Sequence, residues 1–343
     1  MDKILTLAAV LGPVLAFASP TATITTVTTD PATGTVTVEY ALDEKAIVTF
    51  DVLQGGQSIG GKELRNAWGD VNLRVVAGER SFRWKPEAAS TVLDGGNFEL
   101  KVRAWDLDSP PDYMVVDLVN NIDSLGDCDP RVRFYESKDS IPYGIQHALY
   151  KTSKMVLRRI PAKGIKFMMG NNGKELSWWP SIEKQHQVTM SADYFIAIYP
   201  TTNRQYEWVM GLSQGGTPSA HKEQDRPAVY MTFAKVRGTT TEADWPTSPD
   251  VGPTSFMGKL RAAAGYAFDL PTEAQWEYAA RSGCGASLYT GFNVTGDSAA
   301  ARTEMDKIAW FGGTGNPGNA TMPMPVGLKL PNDWGLYDML GNI

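Results

Sequence analysis

A change of hydrophobic period part-way along the chain restricts its fold more than any other feature. From about Thr21 to Leu125 apolar and polar residues alternate; after about Met155 the alternation gives way to helical spacing and long aperiodic runs. GTVTVEYAL (Gly34 to Leu42) sends Val36 and Val38 to one face and Thr35, Thr37 and Glu39 to the other. Successive side chains of a strand point to opposite faces, so this is the signature of a half-buried strand. AIVTFDVL (Ala46 to Leu53), VNLRVVAG (Val71 to Gly78), RSFRWKP (Arg80 to Pro86) and NFELKVRAWD (Asn97 to Asp106) follow, separated by turn residues. Short strands at this spacing predict an antiparallel β-sandwich of about 100 residues.

The second half carries a different signal. In FDLPTEAQWEYAARSG (Phe268 to Gly283), Thr272 and Gln275 form a capping-box pair, so a helix is predicted to start at Thr272. Glu273 in the first turn and Arg281 in the last suit the helix dipole, Glu277 precedes Arg281 by one turn, and Gly283 is the expected stop. Trp276, Ala279 and Ala280 share a face, which predicts that Trp276 enters a core. A second helix is predicted after the cap candidates Thr202 and Asn203, with Tyr206, Val209 and Met210 at helical spacing, and a third over LRAAAG (Leu260 to Gly265). Of the ten tryptophans, those at 178, 179, 208, 245, 276, 310 and 334 fall in this half. Large aromatics can make a fold rigid even where regular structure is sparse.

Composition excludes several classes of function. The net charge of -6, with no long Lys/Arg run, argues against nucleic acid as a partner, because phosphate binding needs clustered cations. MDKILTLAAVLGPVLAFASP opens the chain with Lys3, an apolar run from Ile4 to Phe17 and the triplet Ala16-Phe17-Ala18. That layout predicts a signal peptide over residues 1–18 and a secreted or periplasmic protein. No other stretch reaches transmembrane length. Two cysteines, Cys128 and Cys284, make a disulfide framework impossible, and His147, His186 and His221 have no zinc spacing. Asp106, Asp108, Asp123, Asp127 and Asp129 lack the EF-hand register and read as solvated turn residues.

The residue pattern of the first module is similar to that of immunoglobulin-like modules on exported bacterial proteins. In the second half, IPAKGIKFMMG (Ile160 to Gly170), TTNRQY (Thr201 to Tyr206), RPAVYMTFAKV (Arg226 to Val236), LPTEAQWEYAAR (Leu270 to Arg281) and NDWGLYDMLGN (Asn332 to Asn342) occur in an order that resembles the formylglycine-generating enzyme, or sulfatase-modifying factor, family. The resemblance implies an α+β chain. An N-terminal sandwich (19–125) and a linker (126–154) lead to a C-type-lectin-like mixed α/β domain with long irregular segments (155–343).

The resemblance also implies a chemistry: oxidation of a sulfatase's active-site cysteine to formylglycine, with oxygen and copper(I) held by two thiolates. A soft thiolate pair suits copper(I). In the family those cysteines follow a G-N-x-W-E-W motif, whereas the sequence given runs to Gly341-Asn342-Ile343, and neither Cys128 nor Cys284 aligns with them. No catalytic residue is therefore assigned, and the expected state of this polypeptide is inactive. A structural calcium ion is implied at Asp338, through its side chain, and at Gly341 and Ile343, through their carbonyls. A sulfatase or another polypeptide is the expected partner. The alternative is a non-catalytic envelope or extracellular binding protein. A sulfoxide-synthase-like iron site would need a histidine cluster that three scattered histidines do not form.

Overall fold

The computed structural model describes residues 19–87, 98–119, 131–171, 181–211, 223–238, 246, 248–312 and 322–342. The predicted signal peptide, Cys128, His221 and Ile343 lie outside them. Strands β1 (Ala22–Thr29), β2 (Val36–Leu42), β3 (Ala46–Gln54), β4 (Gln57–Ser58), β5 (Ala67–Gly69), β6 (Leu73–Val75), β7 (Gly78–Trp84) and β8 (Phe98–Trp105) make the N-terminal region β-rich. A single turn of helix, α1 (Gly61–Leu64), interrupts them.

These strands form two antiparallel sheets. One has the order β1-β2-β7-β5; in the other, β3 pairs with β8, β6 and β4. The alternation predicted for β2 holds: Val36, Val38, Tyr40 and Leu42 are buried with Val48, Phe50, Phe82 and Trp84, while Glu39 is exposed. Trp84 is fully buried and its indole N–H donates to the Glu63 carbonyl at 2.8 Å. A buried indole needs such a partner.

The rest of the chain contributes β9 (Tyr113–Asp117), β10 (Val132–Tyr135), α2 (Leu149–Thr152), β11 (Lys154–Ile160), β12 (Lys166–Met169), β13 (His186–Thr189) and β14 (Tyr194–Ala197). Helices α3 (Asn203–Met210), α4 (Phe233–Arg237), α5 (Phe256–Ala264), α6 (Glu273–Arg281) and α7 (Ala299–Ile308) follow, with β15 (Ala309–Trp310) and β16 (Leu340–Gly341). The fold is mixed α+β, as expected. A third antiparallel sheet, β10-β9-β11-β14, carries the second core. β9 comes from the stretch assigned to the sandwich, and β10 and α2 come from the stretch assigned to the linker.

This sheet also meets the first region directly. Phe134 donates its N–H to the Asn72 carbonyl at 2.7 Å, Thr49 Oγ1 donates to Glu136 at 2.7 Å, and Ile47 is buried with Met114 and Phe134.

Helix α6 is capped as predicted. The Gln275 N–H donates to Thr272 Oγ1 at 3.2 Å, and the Thr272 N–H donates to Gln275 Oε1 at 2.9 Å. The left-handed turn at its end is made by Ser282 (φ 46°), followed by Gly283 (φ 85°). Its buried residues, however, are Tyr278, Ala279 and Ala280, while Trp276 is 42% exposed. The expectation for Trp276 is corrected: Ala279 and Ala280 of its face are buried, but Trp276, a turn closer to the helix start, is left at the surface, and Tyr278 is the aromatic that points inward. Tyr278 sits between Phe167 (centroids 5.1 Å) and Trp334 (5.0 Å).

Candidate functional site

Two capped helix starts and one loop define the site. The chain leaves β14 through Ile198, Tyr199 and Pro200 and enters α3 at Thr202, whose side chain accepts from the Gln205 N–H while Gln205 Oε1 accepts from the Thr202 N–H at 2.9 Å. Gln205 Nε2 also donates to the carbonyls of Tyr150 (3.1 Å) and Lys154 (2.8 Å), tying α3 to the start of β11. Buried polar groups are retained where every hydrogen bond is made, and Gln205 is such a case.

Helix α6 is clamped at both ends. Glu277 Oε1 accepts from Arg281 Nε at 2.8 Å and from the Gly170 N–H at 2.9 Å, and Tyr194 Oη donates to the Gln275 carbonyl at 2.6 Å. At its C-terminus Asn332 Nδ2 donates to the Ala279 carbonyl at 2.8 Å, satisfying an acceptor that the helix leaves open. Asn332 Oδ1 accepts from the N–H groups of Trp334 (3.0 Å) and Leu336 (3.1 Å), which shapes the NDWGLYD loop. Asn332 is fully engaged in structure.

Between these elements lies a cavity of about 600 Å³. Its walls include Ile196, Tyr199, Met231, Met257, Trp276 and Tyr337, with Asp338 the one carboxylate among the described residues that line it. Trp276, displaced from the core, is thus a wall of the cavity. Asp338 is 7% exposed and adopts a left-handed backbone (φ 53°) that Asp tolerates better than most residues. Its Oδ2 accepts from the Gly327 N–H at 2.7 Å, whereas Oδ1 is buried without a partner among the described residues. Gly327 (φ 72°) must be glycine because a Cβ there would strike the Tyr199 ring. Burial pushes the Asp338 carboxyl above the usual carboxylate range, opposed by the Gly327 hydrogen bond, the Asn342 side chain, and the Lys151 and Lys329 charges. The Lys151 ammonium, 5.2 Å from the centre of the Tyr199 ring, is pushed below its usual value by burial.

Of the residues implied as calcium ligands, Asp338 and Gly341 line this one cavity, and Ile343 lies outside the described residues. The orphaned Asp338 Oδ1 fits one oxygen of a calcium shell. Among the described residues no group of three or more His, Cys, Asp or Glu converges, so a calcium shell drawn from them would be completed by carbonyl oxygens or water. Among the described residues no thiol lines this cavity, so none of its walls fits copper(I). Cys284 packs beside Leu288, Tyr289 and Ile308, its Sγ 3.5 Å from the Leu288 carbonyl, and it is not among the cavity walls.

His186 is exposed and its Nδ1 pairs with the Lys184 carbonyl at 2.9 Å. Asp106 Oδ1 accepts from the Asp108 N–H at 2.8 Å, a turn as expected; Asp123, Asp127 and Asp129 lie outside the described residues.

A family model described as the sulfatase-modifying factor enzyme 1-like domain matches residues 151–343, more than half of the chain. The chain belongs to this family. The sulfatase-modifying factor enzyme 1-like domain therefore covers β11 to β16 and the whole cavity wall. A curated relative, the chaperone protein LppX of Paenibacillus barcinonensis, is 28% identical over 189 residues, covering 46% of this chain and 61% of the relative. A solved structure, PvdO from Pseudomonas aeruginosa, is 22% identical with a TM-score of 0.41, covering 54% of this chain and 66% of that one. The chain thus spans less than two thirds of either protein's length.

Sequence reading identified Asp338 but not the walls around it. Ile196, Met257 and Leu270 are ordinary apolar residues in sequence, and only packing brings them to one cavity.

Proposed function

We propose that this chain is an exported member of the sulfatase-modifying factor family whose domain binds polypeptide and does not oxidise cysteine. The observation that carries the reading is the apolar cavity walled by Tyr199, Tyr337, Met257 and the exposed Trp276, with the thiol of Cys284 packed elsewhere. Large aromatics and methionine offer adaptable contact area for apolar side chains. The family's characterised activity also acts on a polypeptide, and one relative bears the name of a chaperone. Export rests on the apolar N-terminal run and the Ala-Phe-Ala triplet; among the described residues no helix is long and apolar enough to cross a membrane.

Family membership itself favours the second reading, cysteine oxidation, and a direct assay separates the two. Purified chain with copper(I), oxygen and a sulfatase-motif peptide is expected to leave the peptide thiol unchanged by mass spectrometry. The same peptide with its cysteine replaced by serine is expected to quench tryptophan fluorescence on binding. Formylglycine that still accumulates in the Cys128→Ser, Cys284→Ser double variant would overturn the binding-only reading.

Asp338 is assigned a structural calcium ion together with the carbonyls of Gly341 and Ile343. Its raised pKa fixes the sign of the test. The protonated form contributes stability below the usual carboxylate range, and this is lost as pH rises through the Asp338 value, so at neutral pH a charged, desolvated Asp338 is destabilising. Asp338→Asn keeps an acceptor for Gly327 and tolerates the positive φ. In chelator at pH 7 it is expected to raise stability by about 1–3 kcal/mol, an advantage that disappears below pH ~4. Added calcium is expected to raise the Tm of the wild type and not of Asp338→Asn. A wild-type Tm that ignores calcium would remove the ion from the site.

A further inference from the structure

The N-terminal β-rich region meets the rest of the chain at a point from which hydrogen bonds lead to the candidate cavity. Helix α1 belongs to that region's core: Leu64 is buried with Val38 and Phe50, and the Glu63 carbonyl accepts from the Trp84 indole. Its first residue, Gly61, is buried against the main chain of Ser140 and Ile141. A Cβ at Gly61 would overlap the Ile141 carbonyl, and a backbone group cannot turn aside as a flexible side chain does. Arg65, at the end of α1, places its guanidinium over the Tyr143 ring, 5.0 Å from its centre, where a cation is attracted to the aromatic face. Helix α1 therefore grips the turn at 141–144 in two places.

The turn itself is held in one shape. Tyr143 (φ 64°) and Gly144 (φ 79°) both take the left-handed backbone, the Gly144 N–H donates to the Ile141 carbonyl at 3.0 Å, and Tyr150 Oη donates to the Pro142 carbonyl at 2.6 Å. For tyrosine that conformation is strained, and it persists where the surroundings over-determine it. The next two residues reach the site. The Ile145 carbonyl accepts from Tyr199 Oη at 3.2 Å, and Gln146 Nε2 donates to Tyr337 Oη at 2.6 Å. The two rings lie together (centroids 5.0 Å) and both wall the cavity of about 600 Å³. Gly327, packed on the Tyr199 ring, donates to Asp338. One line of contacts thus runs from α1 through the turn to both tyrosines and the Asp338 carboxylate.

We propose that the N-terminal region sets the shape of the cavity, with Gly61 and Gln146 as positioning residues. Helix α1 fixes the turn, and the turn holds Tyr199 and Tyr337 where they wall the site and keep Gly327 on Asp338. The proposal takes the cavity as the binding site of the polypeptide reading and adds how its walls are held. Neither Gly61 nor Gln146 is among those walls, so each acts through another group, Gly61 through the Ile141 main chain and Gln146 through the Tyr337 hydroxyl. Two packed elements joined by hydrogen bonds are the kind of contiguous contact through which one region biases another.

The experiment uses the full chain and two readouts. Hydrogen exchange of the Gly327 amide, followed by NMR, reports the walls without any ligand, because that N–H is bonded to Asp338. Fluorescence titration with the sulfatase-motif peptide carrying serine in place of cysteine reports binding. Gln146→Ala removes the donor to Tyr337. It is expected to speed Gly327 exchange about tenfold and to weaken the peptide about tenfold, while the ladder amides of β2 and β7 exchange as in the wild type. Gln146→Glu, whose carboxylate can accept from Tyr337 Oη, is expected to restore both. Gly61→Ala is expected to act as Gln146→Ala does, with the ladder amides of β9 and β11 unchanged; if it fails to fold, Arg65→Ala takes its place with the same readouts.

Gly327 exchange as slow in Gln146→Ala as in the wild type would overturn the proposal, whatever the peptide does. Exchange that speeds equally at Gly327 and throughout the ladders would reduce these residues to general stability and overturn it as well. A Gln146→Ala effect with none from Gly61→Ala or Arg65→Ala would detach the N-terminal region from the site, which also sinks its role. Faster Gly327 exchange in both sets of variants, with a wild type that binds no peptide, would uphold the positioning and overturn polypeptide binding.

Discussion

Replacing Asp269 by alanine is expected to cost the fold about 3–5 kcal/mol, because it leaves a buried cation without its counter-ion. Arg237 is fully buried; its Nε donates to Asp269 Oδ1 at 2.6 Å and its Nη2 to Oδ2 at 2.9 Å and to the Ser248 carbonyl at 2.8 Å. Arg261 Nη2 donates to the same Oδ2 at 2.9 Å, and the Leu270 N–H to Oδ1 at 2.9 Å. One carboxylate therefore joins α4, α5 and the segment that leads through Leu270 into α6. A bidentate, planar pair of this kind is specific to arginine. Urea denaturation would show the loss as a lower midpoint, and Asp269→Asn, which keeps an acceptor, is expected to lose less. A change below about 1 kcal/mol for Asp269→Ala would mean that solvent reaches Arg237.

Two tryptophan substitutions are expected to behave in opposite ways. Trp84→Ala should destabilise by about 3–5 kcal/mol, since a fully buried indole packed near Phe50 (centroids 6.2 Å) and bonded to Glu63 is removed. Trp276→Ala should cost less than about 1 kcal/mol, because its side chain is 42% exposed, yet it should weaken peptide binding by about thirtyfold if it acts as an interface anchor. Thermal melts of both variants together with peptide titration of the second separate the roles. A loss of several kcal/mol for Trp276→Ala with unchanged peptide affinity would return Trp276 to the core.

The helix starts were legible because capping is local. Thr272 with Gln275 needs only four consecutive residues, and its box closes as expected; of the two cap candidates before α3, Thr202 is the cap, and it closes a second box with Gln205. The strands β2 and β7 were legible for a similar reason, as a period of two records which side of the chain meets water; β3 is instead buried on both faces from Ala46 to Phe50. The ordered motifs from Ile160 to Asn342 carried the family, and they match the elements that surround the cavity. Arg237 was not legible. It reads as a surface cation at the end of a short helix, and only its meeting with Asp269, thirty-two positions later, makes burial possible.

Sequence alone determined the period of each half, the capped ends of α3 and α6, the family, and Asp338 as a residue of interest, because each depends on neighbours along the chain or on an ordered pattern. Tertiary structure decided the rest. Strand β9 joined the third sheet by pairing with β10 and β11; Tyr278 took the inward position on α6 between Phe167 and Trp334, leaving Trp276 at the cavity. These outcomes turn on which surfaces meet across long separations, and a side chain's local pattern carries no record of the partner that will cover it.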